Sequence, residues 1–107
     1  MQTDNKTLLD NVERALHLAV DPNLTDDQRK EYLTKGTELR SRLVTLMAAR
    51  FDDGTQAVVQ ANAKIKEVNN LLKQNLKDLQ GITDTLNAIG DLVSIIDDLF
   101  KLPFTFV

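Results

Sequence analysis

Any chemistry in this chain would have to come from very few side chains. His17 is the sole histidine, and there is no cysteine. Zinc takes about four ligands drawn from Cys, His and carboxylates, so a lone histidine without thiolates argues against a zinc site. On a helical wheel His17 lies opposite Leu8, Val12 and Leu16, which points it at solvent. Asp21-Pro22-Asn23-Leu24-Thr25 copies the first alternating oxygen ligands of a calcium loop. The glycine required at the sixth position is Asp26, however, and the bidentate glutamate at the twelfth is Tyr32, so the segment reads as a connection between helices. Asp84, Asp91 and Asp98 recur every seven residues on one helix face. Successive carboxylates then sit ~10 Å apart, too far to share a metal or a proton, and form a solvated stripe. No nucleophile elbow, phosphate loop or metal motif occurs. The sequence thus predicts no catalytic, metal-binding or cofactor-binding residue, no cofactor and no enzyme.

The bulk numbers narrow the class of protein. At 107 residues the chain fits a single domain, 1–107. Its hydrophobic content of 42% is that of a globular domain and too high for a disordered chain. A net charge of −3 argues against a nucleic-acid partner, which calls for a basic face. Asp4, Asp10 and Glu13 interrupt any signal-peptide core at the start. The apolar C-terminal third is broken by Asp84, Asp91, Asp97 and Asp98, well short of the ~20 apolar residues of a membrane span. A soluble, cytoplasmic protein is expected.

The elements follow from periodicity and punctuation. Asp4 is suited to cap a helix over about 5–20, where Leu8, Leu9, Val12, Leu16, Ala19 and Val20 recur at helical spacing. Asp21-Pro22-Asn23 ends it. Thr25-Asp26-Asp27-Gln28 has the form of a capping box and opens a second helix to about Phe51, with Tyr32, Gly36, Leu39, Leu43 and Leu46/Met47 along one seam. Asp52-Asp53-Gly54 is a short turn with Gly54 suited to the left-handed position, so the third helix runs back antiparallel. From there a strict heptad holds to Phe100. Its a positions are Val58, Ile65, Leu72, Leu79, Leu86, Val93 and Phe100; its d positions are Ala61, Val68, Asn75, Ile82, Ile89 and Ile96. Twelve of these thirteen are apolar, so the register is a strong signal. The fold class expected is an all-α antiparallel bundle of three helices with a long C-terminal heptad helix, or of four if that helix breaks near Gly81.

Those two alternatives differ in what covers the C-terminal half. A straight helix over 55–102 would be ~70 Å long, and the second helix can cover only half of it. Either the chain folds back at Gly81 and buries its own seam, or residues 82–102 are buried between chains. The unbroken heptad favours the second, through Leu86, Ile89, Leu92, Val93, Ile96, Leu99 and Phe100. Asn75, the one polar seam residue, would pair with itself or with another polar group across the bundle. Pro103 stops the helix, and Phe104 and Phe106 alternate around Thr105 so that the tail could dock as an extended segment on the bundle or on a partner. Thr105-Phe106-Val107 also matches the short Thr-x-Val end read by PDZ domains, a pattern common by chance.

The length and hairpin layout are similar to those of small secreted helical hairpins and secretion-system chaperones. The Trp-x-Gly turn of one such group is missing, with Phe51-Asp52-Asp53-Gly54 in its place, and no family is identified. The expected function is therefore a non-enzymatic interaction module that binds a protein partner or itself, as a homodimer, through the C-terminal seam with Phe104 and Phe106. The alternative is a membrane-active helical protein whose apolar C-terminal helix is released at a bilayer. The acidic residues on that helix weigh against it, because anionic lipid favours basic polar faces.

Overall fold

The computed structural model describes residues 1–52 and 55–106. Four helices account for most of the chain: α1 (Asn5–Leu18), α2 (Asp26–Ala48), α3 (Gln56–Lys77) and α4 (Ile82–Leu99). Two three-residue strands, β1 (Ala49–Phe51) and β2 (Phe104–Phe106), complete it.

The caps form where the side chains supply them. Asp4 accepts from the Thr7 N–H at 3.2 Å, satisfying one of the donors that a helix start leaves open. Thr25 and Gln28 make the reciprocal capping box, Gln28 N–H to Thr25 Oγ1 and Thr25 N–H to Gln28 Oε1. Between them Asn23 N–H donates to Asp21 Oδ1, and Leu24 is buried, so 19–25 is a packed helix connection.

The long third helix of the heptad reading is not present. Gly81 adopts φ 78°, ψ 13°, a left-handed conformation open to glycine at no steric cost, and the chain turns back through 78–81. Asn75 explains why the turn holds. Its side-chain amide donates to the carbonyls of Asp78 (3.3 Å), which caps α3, and of Gln80 (2.7 Å) in the turn. Its Oδ1 lies within hydrogen-bond reach of the Thr85 hydroxyl on α4, which can serve Gly81 O instead at 3.2 Å. The polar seam residue thus clasps a hairpin, and its partner across the bundle is Thr85.

The four helices form a ring in the order α1–α2–α4–α3, with α1 and α4 on one diagonal and α2 and α3 on the other. Named contacts fix the directions. Asn5 Nδ2 donates to Leu46 O, and Leu16 packs on Gly36, so α1 and α2 are antiparallel. Asp4 N–H reaches Asn62 Oδ1 and Asn11 Nδ2 reaches Ile65 O, so α1 and α3 run parallel. Tyr32 and Arg42 meet Ile82 and Asp97, so α2 and α4 are parallel too. The third helix does run antiparallel to the second, as expected, but across the bundle and not beside it. The chain spans 43 × 19 × 19 Å with a radius of gyration of 13.8 Å, the value for a compact chain of this length.

The end of α2 is the second departure. Ala49–Phe51 leave the helix and pair antiparallel with Phe104–Phe106, Arg50 opposite Thr105. On the other edge of β1, Phe51 N–H donates to Met1 O at 2.7 Å, and the Met1 amine donates to Phe51 O. Phe51 is buried beneath Phe104, ring centroids 5.5 Å apart. The left-handed turn expected at Gly54, with Asp53 before it, and Val107 of the tail lie outside the described residues.

Candidate functional site: a saturated core and the apolar side chains left outside it

The residues expected to form an interface divide into two groups. Leu86, Ile89, Leu92, Val93, Ile96 and Leu99 are all buried within one chain, at 7% exposure or less, where α4 packs on α3 and α2. The same holds for the α3 half of the seam, Val58, Ala61, Ile65, Val68 and Leu72. Phe100, Phe104 and Phe106 lie apart, at the end of the bundle. Phe104 centres a small aromatic cluster, 5.5 Å from Phe51, 6.0 Å from Phe100 and 5.3 Å from Phe106. Phe100 and Phe104 are half-buried, and Phe106 is 68% exposed.

Apolar side chains left in water occur mainly elsewhere. On α2, Leu33, Val44 and Met47 are 54, 65 and 62% exposed. At 3.6 residues per turn they fall within an arc of ~60° on the outer face of that helix. Arg40 falls inside the same arc, between Leu33 and Val44, and Lys30 lies at its edge. Leu9 on α1, Val20 just after it and Val59 on α3 are also exposed, each apart from this arc. The sequence placed Leu46 and Met47 together on the α2 seam; the structure buries the first and exposes the second. The available signal was the set of large apolar residues on α2 that fall off the Tyr32–Leu39–Leu43–Leu46 line.

The opposite charge lies on α4. Asp84, Asp91 and Asp98 form the exposed stripe expected of them, with Asp98 paired to Lys101 at 3.2 Å. One ion pair ties α4 to α2: Arg42 Nε and Nη2 meet Asp97 Oδ1 and Oδ2 at 3.0 and 3.2 Å. The hydrogen bonds from Arg42 hold the Asp97 carboxyl below its ordinary range, and the Arg42 guanidinium is raised in turn.

Deep in the bundle Tyr32 is fully buried and donates to Ile82 O at 3.2 Å beside Thr85. Burial outweighs the neighbouring hydroxyl and pushes its phenol well above the ordinary value of 10.0. The α1–α3 contact is more polar: Asn11 Oδ1, Asn69 Oδ1 and Arg14 Nε are buried atoms without a hydrogen-bond partner. His17 is exposed at the mouth of a groove between these helices, with Asp10, Glu13 and Arg14. Among the described residues no three His, Cys, Asp or Glu side chains converge on a point where a metal ion could sit. Two roomy grooves are open ones. One of about 590 Å³ lies between Met1, Arg50 and Phe104, and one of about 650 Å³ runs between α2 and α4 past Lys35 and Gly90. Neither sets a nucleophile against a base. Among the described residues no helix is long and apolar enough to cross a membrane.

No family model, curated protein or solved structure matches the chain.

Proposed function

We propose that this protein is a non-enzymatic interaction module that binds another protein through side chains on the outer face of α2. The observation that carries the reading is that three of the large apolar side chains left in water, Leu33, Val44 and Met47, share one arc of α2. Large apolar side chains scattered singly on a surface need no explanation; three within one narrow arc of one helix suit an anchor for a partner helix or groove. Arg40 within the arc and Lys30 at its edge would favour a partner with acidic residues among its apolar ones. The test is cross-linking in the cells that make the protein, comparing wild type with Val44→Asp/Met47→Asp at equal abundance. Both positions are exposed, so the variant should match wild type in thermal midpoint. Proteins captured by wild type and lost from the variant support the reading, whereas identical capture, or no capture by either, refutes it.

A second reading, release of α4 at a bilayer, draws on that helix having nine of its eighteen residues buried. The helix carries no basic residue, which weighs against the reading. Its acidic outer face would meet anionic lipid unfavourably. Co-sedimentation with anionic vesicles tests it, and no binding eliminates it.

A further inference from the structure

We infer that α4 exchanges between two copies of this chain, the 78–81 hinge straightening so that the α4 of each copy fills the place between α2 and α3 of the other. This deepens the interaction-module reading by naming a second copy as a partner. It uses a different surface from the α2 stripe, so the two can fail separately.

Four observations carry it. First, α4 leaves its own hairpin through one short turn of exposed or half-exposed residues, 78–81. Second, the heptad from Val58 to Phe100 runs through that turn in phase, so a straightened 56–99 helix presents one unbroken seam. Third, the directions close: α3 and α4 are antiparallel within one chain, so two straight helices related by a twofold axis place each α4 antiparallel to the other chain's α3. Asn75 faces Thr85 in the hairpin, ten residues apart, which puts that axis near residue 80. Every α3–α4 contact, Asn75–Thr85 included, is then remade between chains. Fourth, Leu79, half-buried at the turn, sits beside the axis, where it would meet its own copy.

Since α4 keeps the same neighbours in both forms, the balance between them at a given concentration is set by the hinge against the cost of bringing two chains together. The hairpin is favoured by Gly81 at φ 78° and by the Asn75 amide on Asp78 O and Gln80 O. The straight form replaces the turn with continuous helix and buries Leu79. This is the arrangement by which short hinges allow exchange of an identical element.

The test acts on the hinge. Nothing lies within 4 Å of a Cβ built at Gly81, so Gly81→Ala adds no clash; its effect is on the backbone. Alanine is disfavoured in the left-handed region and favoured in a helix, which together shift each hinge ~30-fold and the dimer dissociation constant ~10³-fold. Equal amounts of unlabelled and ¹⁵N-labelled Gly81→Ala chains are unfolded together, refolded and sized by light scattering. They are then coupled with a carbodiimide in a Glu67→Gln background, which removes the carboxylate 3.0 Å from Lys64 on its own helix and leaves Asp91 of α4, 4.0 Å away, to be joined. The expected result is an elongated dimer in which about half of the Lys64–Asp91 links join chains of different label, with the wild type far less dimeric at the same concentration. A folded monomer, or a dimer whose links never mix labels, overturns the proposal. If Gly81→Ala does not fold, Asn75→Leu decides by the same readout, because it removes the bonds to the turn carbonyls found only in the hairpin. Val44→Asp/Met47→Asp placed in the Gly81→Ala background leaves label mixing unchanged, which separates this proposal from the α2 reading.

Discussion

Raising the pH should loosen this bundle through one buried hydroxyl. Tyr32 is the only tyrosine and there is no tryptophan, so absorbance near 295 nm reports on that phenol alone. Burial raises its folded pKa above 10.0, while the unfolded chain exposes it at the ordinary value. A raised folded pKa means the folded state holds its proton longer. The associated stability is therefore fully present below pH 10 and is lost as pH rises toward the folded value. Between pH 9 and 11 the unfolded phenol ionises and the folded one does not, which lowers stability by about 1.4 kcal/mol. The lysines also titrate there, so the measurement is a difference: urea unfolding of wild type and Tyr32→Phe at both pH values. Tyr32→Phe also removes the bond to Ile82 O, about 1 kcal/mol at neutral pH. Wild type should lose about 1.4 kcal/mol more than the variant across the interval. In native buffer the 295 nm absorbance should stay flat past pH 10, rising only as the chain unfolds. A reversible rise centred near pH 10 in folded protein, or equal pH slopes for the two chains, would refute the account of a dry, neutral Tyr32.

Three further outcomes follow from named contacts. A Cβ at Gly36 would lie 2.8 Å from Leu16 Cδ2, so Gly36→Val should force α1 and α2 apart and destabilise the bundle by ~1–3 kcal/mol in thermal or urea unfolding. Asn69 Oδ1 is buried without a partner, and exchanging the amide for an apolar side chain of similar shape should leave stability unchanged or raise it by about 1 kcal/mol; a clear loss in Asn69→Leu would reveal a partner for that oxygen. Asp97 is 45% exposed, so Asp97→Asn should lower stability by less than ~1 kcal/mol, an effect that shrinks in high salt. Its lowered carboxyl contributes stability above its ordinary pKa of 3.8 that disappears as pH falls through the folded value, and the variant should show a shallower loss there by circular dichroism.

The helices, their caps and their inward faces were legible because each rests on local chemistry. Asp4 and the Thr25–Gln28 box act where the sequence puts them, and of the thirteen heptad positions only Leu79 and Phe100 are less than buried. The apolar sets read on the first two helices hold except at Leu9, Val20 and Met47, which are exposed. The β1–β2 ribbon was half legible. Phe104-Thr105-Phe106 alternates and was read as extended, but its partner Ala49-Arg50-Phe51 is too short for a period of two to show against the helix before it.

What periodicity could not decide was which chain covers the seam. The 78–81 turn is four residues long, close to one helical turn of 3.6, so it replaces a turn of helix without shifting the phase of the apolar residues on either side. A straight helix and a hairpin therefore leave the same pattern of a and d positions. The choice falls to single residues: Gly81, which can turn left-handed, and Asn75, whose amide reaches the carbonyls the turn would otherwise strand. Read as a coiled-coil feature, a polar d residue signals a partner chain; placed seven residues before Ile82 and ten before Thr85, it holds the bend instead. The same ambiguity in the pattern is what would let one seam close within a chain or between two. The hinge, and not the apolar face, is therefore where the difference between monomer and exchanged dimer is set.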